Sequence, residues 1–102
     1  MKPIIVRGGG DLATGTIHRL CRSGYPVIIL ECERPSAIRR LVSFCQAVYE
    51  GTMEVEGMTC RLAESFDQAL EQVSWNHPQL IVDPQGKCLE KYHPDILVDG
   101  IL

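Results

Sequence analysis

Apolar residues are concentrated in short, dense runs, separated by segments with a helical period. Pro3 to Arg7 and Val27-Ile28-Ile29-Leu30 read as continuous apolar strands, as in the centre of a parallel sheet covered on both faces. Between them Ala13, Ile17, Leu20 and Cys21 recur at i, i+4, i+7 and i+8, which predicts a helix from about Leu12 to Ser23 with one buried stripe. Gly24 stands where a left-handed C-terminal cap belongs, and Tyr25-Pro26 turns the chain into the second strand, closed by Glu31. Pro35 and Ser36 then open a second predicted helix. Its buried side carries Ile38, Leu41, Val42 and Cys45, with Arg39 and Arg40 on a solvated face.

Ala47 to Tyr49 reads as a third short strand. Thr52 to Leu62 alternates around Gly57, with Met53 and Val55 before it and Met58, Cys60 and Leu62 after, which predicts a β-hairpin or a sharply turned strand. Ser65 followed by Gln68 is a capping box, and the helix it opens is expected to bury Phe66, Ala69, Leu70 and Val73. Leu80-Ile81-Val82-Asp83 and Ile96-Leu97-Val98-Asp99 are two further short strands, each closed by a carboxylate. A β-α-β-α-β-α-β order predicts an α/β, Rossmann-like open, mostly parallel sheet with helices on both faces. Residues 1–102 are read as one such domain. Asp99-Gly100-Ile101-Leu102 is a strand end with no returning helix, which would leave a parallel edge bare. The expectation is therefore an N-terminal part of a longer protein, or a partner over that end.

The chemistry is concentrated in the first turn. Gly8, Gly10 and Ala13 form G-x-G-x-x-A between a strand and a helix, and Glu31 follows about 20 residues after the turn. In a nucleotide-binding βαβ unit the glycines let backbone approach a pyrophosphate, the helix N-terminus faces it, and the acid meets a ribose hydroxyl. Arg7, Gly8, Gly9, Gly10, Asp11, Ala13 and Glu31 are the candidate binding residues. Asp11 would repel a nearby pyrophosphate unless it points away, so it is expected to cap the helix, hold a phosphate-bound cation or act as a base. Arg7 can clamp an anion through its planar fork, and a structural Arg7–Asp11 pair is the bland outcome. Arg34, Arg39 and Arg40 are close enough in sequence to offset Glu31 beside a phosphorylated ribose. Thr14 and Thr16 are read as inert helix-surface hydroxyls. The plain alternative for the whole motif is a tight strand–helix turn with no ligand.

Composition narrows the remaining classes. A content of 45% hydrophobic and 23% charged residues over 102 positions is that of an ordinary globular domain. No apolar run approaches the roughly 20 residues that span a bilayer, and because Met1-Lys2-Pro3 leads directly into a strand no signal peptide is expected. Five cysteines with no C-x-x-C pair are expected to be reduced thiols in a cytoplasm. The net charge of −3 divides into +4 over residues 1–40 and −7 over residues 41–102, so the basic excess lies beside the glycine turn and suits an anionic small molecule. A nucleic-acid surface would be more densely basic, and neither nucleic acid nor membrane is expected as a partner. His18, His77 and His93 lack close ligand spacing, so no metal is expected, and no nucleophile–base pair supports a hydrolase. Cys32, just past the second strand, is an outside candidate for carrying sulfur or selenium if its pKa is lowered. Cys21 and Cys45 fall on apolar faces, and Asp83 and Asp99 end strands on the side where ligands bind.

A resemblance extends over nearly the whole chain. Val6-Arg7-Gly8-Gly9-Gly10-Asp11-Leu12-Ala13-Thr14-Gly15, Ala37-Ile38-Arg39-Arg40-Leu41-Val42-Ser43-Phe44, Ala47-Val48-Tyr49-Glu50-Gly51, Val55-Glu56-Gly57 and Asp95-Ile96-Leu97-Val98-Asp99 resemble the accessory proteins of the bacterial selenium-dependent molybdenum hydroxylase system. These are related in role to xanthine dehydrogenase accessory factors. Gly100 stands where that resemblance leads one to expect alanine. It implies a Rossmann-like accessory protein that helps mature a molybdenum hydroxylase by handling the molybdenum cofactor or its sulfur or selenium ligand, with the hydroxylase or another maturation factor as partner. The alternatives are the nucleotide-binding half of an NAD(P)-dependent oxidoreductase and a non-catalytic scaffold with a structural glycine turn. The sequence does not choose among NAD(P), another nucleotide and the molybdenum cofactor, and a homo-oligomer stays open.

Overall fold

The computed structural model describes residues 2–101; Met1 and Leu102, part of the two terminal stretches considered above, lie outside them. Six strands form one sheet: β1 (Ile4–Arg7), β2 (Val27–Glu31), β3 (Thr52–Val55), β4 (Met58–Leu62), β5 (Gln79–Val82) and β6 (Leu97–Asp99). Their order is β3-β4-β5-β2-β1-β6, with β3 antiparallel to β4 and every other pair parallel. Without the β3–β4 hairpin the parallel strands run β5-β2-β1-β6, the 3-2-1-4 order of a Rossmann-like sheet. The expected α/β class is the class observed.

The register Ile4↔Val27, Ile5↔Ile28 and Val6↔Ile29 aligns the two densest apolar runs, so alternate residues face opposite sides of the sheet. On one side Ile4, Val6, Val27 and Ile29 pack with Ala13, Ile17 and Cys21 of α1 (Asp11–Arg22) and with Phe44 and Ala47. On the other, Ile5, Ile28, Leu30 and Ile81 pack with Ala63, Ala69 of α3 (Phe66–Gln72) and the partly buried Cys88, Leu89 and Tyr92. Helices therefore cover both faces. Each fully buried Ile or Leu contributes about 1.5–3 kcal/mol over its exposed state, so the two central strands supply much of the stability.

Two short-range expectations hold closely. α1 ends at Gly24, which takes φ +97°, and the hairpin turns through Glu56 and Gly57 with φ +48° and +80°. At α3 the Ser65 hydroxyl accepts from the Gln68 N–H at 3.1 Å, but the Gln68 side chain reaches the Glu64 N–H, one residue earlier than a capping box requires. Ala69 in α3 is buried, whereas Leu70 is 36% exposed.

The predicted second helix does not form. Residues 35–39 are loop, followed by 3-10 turns at Arg40–Val42 and Phe44–Gln46, then a short helix α2 (Ala47–Glu50) where a third strand was expected. The cause is tertiary hydrogen bonding. In a continuous helix the Phe44 and Cys45 N–H groups would bond carbonyls four residues back. Instead Phe44 N–H donates to Thr14 Oγ1 at 2.9 Å and Cys45 N–H donates to the Gly9 carbonyl at 2.8 Å. Ser43, extended at φ −126° and ψ 118°, makes the break. Ile38 and Leu41, expected in the core, are 93% and 86% exposed, while Phe44, Cys45 and Ala47 are fully buried.

Candidate functional site

The glycine turn leaves the carboxyl end of β1, next to the point where the chain order reverses between β1 and β6. Open α/β sheets bind ligands at such a point. Gly8 takes φ +96°, a left-handed conformation open to glycine, and its N–H donates to the Leu30 carbonyl at 2.8 Å. A Cβ on Gly9 would lie 3.2 Å from Cys45 N and 3.3 Å from Ile29 Cγ2, so Gly9 is the floor of the turn, packed beneath the 43–45 segment. Gly10 differs from both. It is the N-cap of α1 at φ −67° and ψ −176°, and a Cβ placed there meets nothing within 4 Å. No side chain caps α1, so its first-turn N–H groups have no side-chain acceptor at the positive end of the helix dipole.

Glu31 is positioned by β2 but used inwardly. Its Oε2 accepts the Gly9 N–H and its Oε1 accepts its own neighbour's N–H at Cys32, both at 2.8 Å. The carboxylate therefore locks the glycine turn to the end of β2. Asp11 does not cap the helix: it is the first helical residue, favourable beside the dipole, and its Oδ2 lies 3.5 Å from Arg39 Nε. The expected Arg7–Asp11 pair is replaced by this Arg39–Asp11 pair, because the loop that displaced the second helix carries Arg39 to the first turn of α1. Arg7 stands in register with Asp99 of β6 and pairs with no carboxylate among the described residues.

Thr14 was read as an inert surface hydroxyl and is in fact 2% exposed. Its Oγ1 donates to the Gly9 carbonyl at 3.1 Å while accepting the Phe44 N–H at 2.9 Å. It thus ties the turn, α1 and the 43–45 segment together. Only its place on the buried side of Ala13 and Ile17 hinted at this. Ala13 makes the expected close approach, but to the chain after β6: a Cβ on Gly100 would lie 2.8 Å from Ala13 Cβ and 3.0 Å from the Arg7 carbonyl. Gly100 N–H donates to that carbonyl at 2.7 Å. Glycine at position 100 is a packing requirement here, which accounts for the departure from the expected alanine.

The thiols separate by environment. Burial pushes Cys21 up to about 12, and burial together with the Glu31 carboxylate pushes Cys45 up to about 11; burial raises Cys60 further. None of these is poised as a nucleophile at neutral pH. Cys88 is raised to about 12, first by burial and then by its hydrogen bond to Asp83. Cys32, the outside candidate for sulfur or selenium chemistry, is partly exposed beside the Glu31 carboxylate. Asp83 accepts the Lys87 and Cys88 N–H groups at 2.9 and 3.0 Å, and Asp99 accepts the Ile101 N–H at 3.0 Å, so both strand-end carboxylates organise the loops that follow them. Despite the cost of partial burial, those N–H bonds, the Cys88 thiol and the Lys87 charge hold Asp83 below the usual aspartate range.

Among the described residues, no group of three His, Cys, Asp or Glu side chains is placed to hold a metal, and no helix is long and apolar enough to cross a membrane. Two surface clefts lie in this half of the chain. One of about 210 Å³ is lined by Asp11, Thr14, His18 and Arg39, and a second of about 460 Å³ by residues of the 34–50 segment.

No family model and no solved structure matches the chain. The uncharacterized protein YqeB of Escherichia coli (strain K12) is 42% identical over 99 residues, which is 97% of this chain and 18% of that protein. The chain therefore spans less than one fifth of the length of this curated relative, and the similarity carries no activity with it.

Proposed function

We propose that this chain is a nucleotide- or cofactor-binding domain of a maturation factor for a selenium-dependent molybdenum hydroxylase. The observation that carries the binding part is Gly10: room at its Cβ position, at the N-cap of a twelve-residue helix that no side chain caps, just past the carboxyl end of β1. On this reading the Gly8–Ala13 turn cradles a phosphate, Arg7 adds a charge from the strand end, and Glu31 sets the shape of the turn. The maturation part rests on the resemblance of the glycine-turn block and the 37–51 segment to that accessory family. Cys32 is the thiol available for sulfur or selenium transfer under this reading.

A scaffold with a purely structural turn is favoured by a separate observation. Glu31 and Gly9 satisfy each other, so the turn holds together without a ligand. The two readings part on Gly10→Val, because the backbone there suits any L residue while the side chain would fill the phosphate's space. The test is a thermal-shift titration of the chain and of Gly10→Val with NAD, NADP, ATP and a pterin nucleotide. A ligand at about one hundred times its dissociation constant adds roughly 2.7 kcal/mol, several degrees in a domain of this size. A shift present in the parent and absent from a folded Gly10→Val supports binding; no shift with any of the four supports the scaffold.

A further inference from the structure

The cleft of about 460 Å³ in the 34–50 segment is lined by Arg34, Ser36, Arg40, Gln46, Tyr49 and Glu50, among others. We propose that this cleft is a phosphomonoester subsite that selects a nucleotide phosphorylated on its adenosine ribose, NADP over NAD. The proposal rests on the glycine-turn reading above and names its ligand.

Four observations carry it. Arg34 and Arg40 line one cleft across residues 35–39, which are loop where a helix is predicted. Neither guanidinium pairs with a carboxylate among the described residues, whereas Arg39 between them is engaged by Asp11. Glu50 is the one carboxylate on the wall, so two guanidinium groups leave the cleft net positive, and the Ser36 hydroxyl and Gln46 amide add donors. The two sides are held together by Tyr49, whose hydroxyl donates to the Pro35 carbonyl at 2.7 Å, so the cleft is formed before any ligand arrives.

Two of the cleft's walls are tied to the turn through the chain. Arg34 follows Glu31 by three residues, at most about 11 Å of backbone. Gln46 follows Cys45, whose N–H sits on the Gly9 carbonyl. A carboxylate at the end of the second strand selects NAD by accepting bonds from the free ribose hydroxyl. Here both Glu31 oxygens already accept backbone N–H groups, so that discrimination is weakened. Paired guanidinium groups favour a phosphate dianion instead.

The test measures affinity of the purified chain for NADP, NAD, 2′,5′-ADP and 5′-ADP, and repeats it with Arg34→Ala/Arg40→Ala, Arg34→Lys/Arg40→Lys and Gly10→Val. Both arginines are exposed, so the double variants should unfold at the parent urea midpoint. Expected is NADP at least about tenfold tighter than NAD, a ratio that falls to about one in the alanine pair and recovers in part in the lysine pair. Equal affinity for NADP and NAD in the parent overturns the subsite, as does equal loss of both in the alanine pair. Tight 2′,5′-ADP binding that survives Gly10→Val and fails in the alanine pair keeps the subsite and removes the glycine-turn reading. No binding of any probe overturns both.

Discussion

The residues that shape the candidate site are mostly small or polar groups with two partners each. Thr14 bridges Gly9 and Phe44, and Glu31 bridges Gly9 and Cys32. Such groups are costly to remove, because an orphaned buried N–H loses about 1–3 kcal/mol. Gly8, Gly9 and Gly100 all lack room for a side chain, and Gly8 also takes a positive φ. Gly100→Ala is expected to destabilise the fold by about 1–3 kcal/mol through overpacking on Ala13 and the Arg7 carbonyl. Urea unfolding of Gly100→Ala with and without Ala13→Gly checks this. The double variant should regain part of the loss, since the two sites share the contact. Two purely additive losses would show that the Ala13 contact is not the cause. The sequence displayed all three of these glycines in plain view, but it could not say which was crowded. Crowding at residue 9 comes from residue 45 and at residue 100 from residue 13.

Elements set by their own residues were legible, and elements set by contacts were not. α1 and the hairpin follow from periodicity, turn residues and positive-φ glycine, all local. The 35–45 segment carries a helical pattern as good as that of α1, yet two of its N–H groups bond the glycine turn and α1 instead. Ile38 and Leu41 are consequently on the surface, and Leu41→Ser should change stability by less than about 0.5 kcal/mol in a urea titration. A loss of about 2 kcal/mol or more would return Leu41 to the core. The loop after β5 offers a second test. Asp83 has a folded pKa below its unfolded value, so its stabilisation is complete above the unfolded pKa of about 3.9 and is lost as pH falls through the folded one. Asp83→Asn should therefore lower the urea midpoint at pH 6, by the equivalent of about 1 kcal/mol for a lost cap, and the gap from the parent should narrow at pH 3. A gap unchanged between the two pH values would remove the carboxylate from this role.

At the scale of the molecule, two central strands with both faces covered carry the fold, and the edges are thin. The apolar residues of β1 and β2 and the centre of β5 are fully or almost fully buried, whereas Leu97 of β6 is 50% exposed. Amide exchange should therefore be slowest at Ile5, Ile28, Ile29 and Leu80, and faster by orders of magnitude in β3 and β6. Uniform protection across the sheet would contradict this order. The sequence alone determined the strands near 3–7 and 27–31, the α/β class and the position of the glycine turn, because each depends on a run or spacing within one segment. Tertiary structure alone decided that Glu31 turns inward, that Arg39 rather than Arg7 meets Asp11, and that Arg34 and Arg40 share a cleft. The first follows from the Gly9 and Cys32 N–H groups that the carboxylate accepts, and the other two from the 43–45 backbone, which bonds Gly9 and Thr14, 30 or more residues away, in preference to its own preceding turn.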